Sequence, residues 1–80
     1  MDELRRRLTD CFQVVFPDLP QEKIATASPE TVAEWDSVAG LMLMTVVEEE
    51  FKLQIDLDDL VGLDSFESFY SYVQKRAPSW

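Results

Sequence analysis

The sequence has 80 residues, of which 46% are hydrophobic, and this suits one small folded domain covering 1–80 with a limited core. The formal net charge of −9 excludes the basic surface that nucleic-acid phosphates require, so we expect no nucleic-acid partner. Without histidine and with one cysteine, the chain lacks the commonest general base and any internal disulfide. No apolar run reaches the roughly 18 residues of a membrane span, so we expect a cytoplasmic protein without membrane insertion.

The first predicted helix covers residues 2–16. Its apolar residues recur at three- and four-residue intervals and form one stripe of Leu4, Leu8, Cys11, Phe12 and Val15. Because Cys11 lies on this stripe, we expect an inert, buried thiol. The three arginines at 5–7 lie mostly off the stripe, and we expect them to form a solvated face rather than a basic docking spot.

A connection without clear periodicity follows, from Pro17 to Glu34. Pro17 and Pro20 end the first helix. So long a connection is uncommon in a small domain unless it is functional or held by apolar anchors. The candidate anchors are Leu19, Ile24, Val32 and Trp35. We therefore expect an ordered segment.

The second predicted helix covers residues 37–51, with Asp36 as its N-cap, and it is apolar on two sides. The side that we expect in the core contains Gly40, Leu43, Met44, Val47 and Phe51. The other side contains Val38, Leu41, Met42 and Thr45. Three further short helices cannot easily cover both, so we expect the second side to stay partly exposed as a contact surface. The alternative is that the long connection covers it.

Glutamates at 48–50 lie near the C-terminus of this helix, where the helix dipole disfavours negative charge. The default interpretation is a solvated face, but the position also fits a surface kept for basic partners. Asp56, Asp58 and Asp59 extend the same acidic field. Residues 18–60 hold eleven acids and two lysines, so the whole net charge of −9 lies in this middle part of the chain.

Two further helices are predicted in the C-terminal third of the chain. A short third helix over 56–61 ends at Gly62. The last helix follows Asp64, which we expect to cap it together with Glu67. Its buried stripe is Phe66, Phe69, Tyr70 and Val73, and residues 77–80 form a C-terminal tail. The pattern predicts an all-α, small four-helix bundle, with three main helices, a short third helix and a long loop between helices one and two.

Ser37 stands at the start of the second helix, and its surroundings limit its chemistry. No histidine is present to activate it, and the lysines are remote in sequence, so a serine hydrolase is disfavoured. No calcium-loop spacing is present among the carboxylates, so we expect no metal site. A serine that another enzyme modifies needs only exposure and a fixed place, and a helix N-terminus favours a phosphodiester. On its own, however, an Asp-Ser helix start is mostly a cap.

The wider motif is more specific. Asp36-Ser37-Val38, followed by an apolar helix and Glu48-Glu49-Glu50-Phe51, resembles the acyl carrier protein family, which includes peptidyl and aminoacyl carriers. The resemblance covers almost the whole chain. It implies that Ser37 receives 4′-phosphopantetheine from coenzyme A through a phosphopantetheinyl transferase. The thiol of that arm would carry an acyl or aminoacyl group as a thioester, and the chain itself would not be an enzyme.

The resemblance also implies a docking surface for acyl or aminoacyl ligases and acyl-transferring enzymes, whose own surfaces would be basic and apolar. In this chain the resemblance assigns the docking surface to Asp36, Val38, Leu41, Met42, Thr45, Glu48 and Glu49, with Leu60 and Val61 near the arm. Fatty-acid carriers usually have acids where this chain has Ala39 and Met42, which favours a monomeric carrier in a specialised lipid or secondary-metabolite pathway. The alternative is an unmodified acidic helical module for protein–protein interaction.

Overall fold

The computed structural model describes residues 3–76, which form helices and no strand, so the prediction of an all-α chain is confirmed. The five helices are α1 (Glu3–Val15), α2 (Gln21–Ile24), α3 (Ser37–Phe51), α4 (Leu57–Leu60) and α5 (Phe66–Arg76). None of these helices has the length and apolar character to cross a membrane. The predicted tail at 77–80 lies outside the described residues.

The core is built around α1, which packs against α3 and α5. The predicted stripe of α1 is buried except for Val15, which is half-buried at the end of the helix. The Phe12 ring meets the rings of Trp35, Phe66 and Phe69 at centroid distances of 5.5, 5.2 and 5.6 Å. All three pairs are edge-on, the arrangement that aromatic quadrupoles favour. Residues from α1, the long connection and α5 therefore meet at one side chain.

The connection between α1 and α3 is ordered, as predicted, but it contains a helix that the sequence did not indicate. The single turn of α2 follows Pro20, whose carbonyl accepts the Lys23 amide at 2.9 Å. Of the predicted anchors, three are buried and Leu19 is half-buried; the buried ones are Ile24, Val32 and Trp35. Ala27 is buried as well, and its carbonyl accepts the Phe66 amide at 3.0 Å. This bond fixes the connection to the start of α5.

Helix α3 spans the residues that the sequence predicted. Its buried residues are Ala39, Gly40, Leu43, Val47 and Phe51, while Met44 is half-buried. The helix ends at Lys52, whose backbone has φ 54°, in the left-handed region. The Lys52 amide bonds to the carbonyl of Glu48 and so satisfies one of the free groups at the helix end.

The glutamates at 48–50 do not form one solvated face, and that expectation is wrong for two of them. The Glu48 carboxylate accepts the Ile55 amide at 2.7 Å and holds the turn after α3. Glu50 pairs with Arg7 of α1, which also lies over the Phe51 ring. Only Glu49 is fully exposed. These intramolecular partners therefore offset part of the electrostatic cost of placing negative charge at the C-terminus of α3.

The arginines at 5–7 also depart from the expected solvated face. Arg5 pairs with Glu67 of α5 at 3.1 Å and lies over the Tyr70 ring, 4.4 Å from its centroid. Arg7 bridges α1 to α3 through Glu50. Only Arg6 behaves as predicted, since it pairs with acids of its own helix. Two of the three arginines therefore hold helices together.

The predicted cap of α5 by Asp64 and Glu67 does not form. Ser65 and Ser68 take this role instead: the amide of each donates to the hydroxyl of the other at 3.0 Å. The reason is that the buried Phe66 is the first helical residue, so the N-cap falls on Ser65. Asp64 is exposed, and Glu67 is free to pair with Arg5.

Candidate functional site

The hydroxyl of Ser37 is not used to cap α3. Asp36 caps the helix instead, because its carboxylate accepts a hydrogen bond from the Ala39 amide at 2.9 Å. Ser37 is the first residue of the helix and is exposed, and no hydrogen bond to its hydroxyl occurs within residues 3–76. The neighbouring aspartate thus leaves the serine available to groups outside the fold.

An open groove of about 520 Å³ begins at Ser37 and runs between α3 and α4; we call it the Ser37 groove. Most of its lining side chains are apolar. The lining consists of Pro29, Trp35, Asp36, Ser37, Gly40, Leu41, Leu57, Leu60, Val61, Leu63 and Asp64. Its charged residues are two aspartates, and no basic residue lines it. The groove can therefore accept an apolar, uncharged group close to the serine.

One wall of the Ser37 groove is α4, a single turn with no buried side chain. Leu57 is 65% exposed and Val61, just after the helix, is 85% exposed. Asp59 ties this turn to α5, because its carboxylate accepts the Tyr72 hydroxyl at 2.9 Å and an Arg76 nitrogen at 3.2 Å. Burial, reinforced by this hydrogen bond, raises the pKa of Tyr72. The wall is thus held by these polar contacts and by the half-buried Leu60, which packs against the core.

A second apolar surface lies beside the groove on α3; we call it the α3 face. It consists of Val38, Leu41, Met42, Thr45 and the half-buried Val46, which line a shallow depression of about 380 Å³. Val38, Leu41 and Met42 are 64%, 43% and 49% exposed. The prediction that this side stays exposed is confirmed, and the long connection does not cover it. Leu41 borders both surfaces and joins them.

The structure brings most of the predicted site residues together. Asp36, Ser37, Leu41, Leu60 and Val61 line the Ser37 groove, and Val38, Met42 and Thr45 extend the surface along α3. The two glutamates lie apart from both surfaces. Glu48 has its carboxylate bonded to the Ile55 amide and borders a separate depression with Lys52 and Arg76, whereas Glu49 is exposed and lines neither surface.

Six lining residues of the groove were not predicted as site residues: Pro29, Trp35, Gly40, Leu57, Leu63 and Asp64. Trp35 was assigned only as an anchor of the connection, and Gly40 only to the core side of α3. Gly40 comes three residues after Ser37, so helical periodicity places it on the same side as the serine. That spacing was a usable signal. No comparable signal indicated Leu57, because its side chain is 65% exposed and belongs to no buried stripe.

Other reactive groups are absent from this region or inert. The Cys11 thiol is buried, as predicted, and this burial raises its pKa to about 12, which disfavours the reactive thiolate. Among residues 3–76, no group of three or more histidine, cysteine or acidic side chains is arranged to hold a metal ion. Ser37 is therefore the accessible nucleophilic oxygen of the Ser37 groove.

No family model, curated protein or solved structure matches this chain. The fold and the site define a small helical protein in which an exposed serine without an internal partner opens onto an apolar groove. Any assignment of function therefore depends on this geometry and on the motif around the serine.

Proposed function

We propose that this chain is an acyl carrier protein in which Ser37 is the attachment site of 4′-phosphopantetheine. One observation carries the proposal: Asp36 caps α3, and the adjacent serine hydroxyl is exposed at the mouth of an apolar groove, without a hydrogen-bond partner among residues 3–76. The proposal includes the arrangement of the fold as a four-helix bundle. In it α1, α3 and α5 are the main helices, α4 is the short one, and α2 belongs to the long loop.

The surroundings of Ser37 fit a phosphodiester. The serine begins a helix of 15 residues, whose free amides and positive dipole end stabilise an anionic group. No side chain of the groove can act as a general base except the two aspartates, so the transferase must supply the catalysis. The Ser37 oxygen would bond to the phosphorus of the phosphopantetheinyl group as the nucleotide part of coenzyme A leaves, and the transferase would accept the hydroxyl proton.

When attached, the arm supplies a thiol that holds an acyl or aminoacyl group as a thioester. The chain's own residues provide a fixed attachment point, since Asp36 fixes the start of α3 and Trp35 anchors the segment before it in the core. The apolar lining of the Ser37 groove can shelter uncharged parts of the carried group from water. Tethering then raises the effective concentration of that group at each docked enzyme.

The α3 face is the proposed docking surface for partner enzymes. Its centre is apolar, and two exposed acids, Asp36 and Glu49, lie outside its lining, one beyond each end, roughly 20 Å apart along the helix at 1.5 Å per residue. Such a surface fits a partner with an apolar centre and basic edges, such as an acyl or aminoacyl ligase. Glu48 is a weaker candidate than Glu49 because its carboxylate already binds the Ile55 amide.

The composition of the docking surface supports a specialised pathway. Ala39 is buried, and Met42 is 49% exposed, so neither position places a carboxylate on the first turns of the helix. A partner that recognises acids there would find apolar surface instead. We propose a dedicated lipid or secondary-metabolite partner rather than the housekeeping fatty acid synthase.

Intact-mass measurement tests the carrier function. The chain is incubated with coenzyme A, magnesium and a broad-specificity phosphopantetheinyl transferase. We expect a mass gain of one phosphopantetheinyl unit, lost in Ser37→Ala and retained in Ser71→Ala, which changes an exposed serine on α5. No gain in the unaltered chain, or a gain that persists in Ser37→Ala, would refute the proposal.

The exposed α3 face also favours a second candidate, an unmodified acidic interaction module. Such a module needs apolar contact surface but no serine at position 37. A chain that gains no mass, and whose Ser37→Ala variant binds a partner as tightly as the unaltered chain, would support this alternative. Loss of partner binding in Met42→Ala would confirm that the α3 face makes the contact.

A further inference from the structure

The indole N–H of Trp35 has no hydrogen-bond acceptor within residues 3–76, although the residue is only 7% exposed. In the same part of the chain, every fully enclosed side-chain nitrogen or oxygen has a partner. The indole nitrogen must therefore reach the molecular surface. Because leaving a buried donor unpaired is costly, a nearly buried N–H that opens to one place indicates where an acceptor binds.

The neighbours of the indole nitrogen indicate that it reaches the surface at the Ser37 groove. It lies 3.8 Å from the point that a Cβ on Gly40 would occupy, so it stands over the first turns of α3. Trp35, Ser37 and Gly40 all line the groove. The ring is held in place by the rings of Phe12 and Phe16, at centroid distances of 5.5 and 5.7 Å. The donor thus faces the groove from a rigid position.

Gly40 leaves the approach to this donor open. A glycine inside a helix costs about 1 kcal/mol relative to alanine, by general helix propensity. The packing of Trp35 does not demand it, since 3.8 Å is an ordinary contact distance for an added Cβ. The missing side chain does, however, leave space in the groove between Ser37 and the indole nitrogen.

The charges of the groove select the kind of acceptor. The start of α3 is the place proposed for the phosphodiester, and elsewhere in the groove no basic residue favours a second anion. A neutral oxygen, such as that of a carbonyl, fits the mostly apolar lining. Building on the proposed function, we propose that the Trp35 indole N–H binds a carbonyl oxygen of the group carried on Ser37. Trp35 is then a positioning residue that holds this group against α3.

Two carbonyl sources share this chemistry: the amides of the arm and the thioester of its cargo. Proton–nitrogen NMR of the full, ¹⁵N-labelled chain separates them through the Trp35 indole signal. The signal is assigned with Trp80→Phe, which removes the other indole of the sequence. Four states are compared: unmodified, arm only, octanoyl thioester, and octyl thioether, which lacks the thioester carbonyl. Mass spectrometry confirms loading in each.

We expect the Trp35 indole proton to move downfield and to exchange more slowly with solvent after loading. A change already present with the arm alone places the acceptor on the arm and not on its cargo. A change with octanoyl but not with octyl identifies the thioester carbonyl.

Three results would overturn the assignment. Fully loaded chains with an unchanged Trp35 indole, or with equal changes for octanoyl and octyl and none for the arm alone, refute the hydrogen bond but leave the carrier function intact. A chain that never gains mass refutes the carrier function and this assignment with it.

Discussion

Removing the Tyr72 hydroxyl should loosen α4 without unfolding the protein. The change Tyr72→Phe deletes the 2.9 Å hydrogen bond to Asp59, while Arg76 remains within 3.2 Å of the same carboxylate. A hydrogen bond to a partly exposed group contributes about 1 kcal/mol, which corresponds to a roughly fivefold change in an equilibrium. Because α4 has no buried side chain, this loss should appear as local opening of the turn.

Hydrogen–deuterium exchange measures that opening directly. We expect amides of 57–63 to exchange about fivefold faster in Tyr72→Phe, with α1 and α3 unchanged. Glu67→Gln is the matched control, because it breaks the Arg5–Glu67 pair on α5 without touching α4. If exchange at 57–63 does not change, or if all helices accelerate equally, polar contacts with α5 do not fix α4 and the reasoning fails.

Three further changes test other features of the fold. Lys52→Gly should raise the free energy of unfolding by about 1 kcal/mol in urea titrations, because glycine adopts φ 54° without strain. Lys52→Ala is the control and should give no such gain, because alanine is strained at this angle. Gly40→Ala should raise it by up to about 1 kcal/mol, because the added Cβ meets Trp35 at an ordinary 3.8 Å. The raised pKa of Cys11 means that its stabilising contribution is complete below pH 9.0 and is lost as pH rises to about 12. Stability should therefore decrease less steeply with pH in Cys11→Ala over that range.

Each of these three predictions has a result that would contradict it. Equal effects of glycine and alanine at position 52 would mean that the left-handed backbone stores no strain. A destabilised Gly40→Ala would show that the groove closes more tightly on Trp35 than its 3.8 Å spacing indicates. Identical alkaline slopes with and without the thiol would contradict its burial in the folded state.

Local patterns were sufficient to predict α3 and its cap. Asp36 and the apolar run after it act within a few residues, so the start, the end and the exposed side of this helix could be predicted from the sequence. The cap of α5 could not, because acid and serine neighbours at 64 and 65 offer two starting points. The burial of Phe66 against Phe12 decides between them, and that contact is tertiary.

The site was predictable at the serine and less so around it. Ser37 follows from the motif, but the arginine pairs that hold α1 to α3 and α5 join residues 43 and 62 positions apart. No periodicity encodes such pairs. The role of Trp35 was also hidden, because the sequence shows an apolar anchor and only the packed structure shows that its N–H is left without an acceptor.

The construction of α4 has a consequence for how this protein can diversify. Leu57 and Val61 shape the groove, yet both side chains are mostly in water and support no part of the interior. Substitutions at such positions usually change folding stability by less than about 0.5 kcal/mol. Substitutions at these two positions can therefore change which groups fit the groove beside Ser37, while the stability of the fold stays nearly the same.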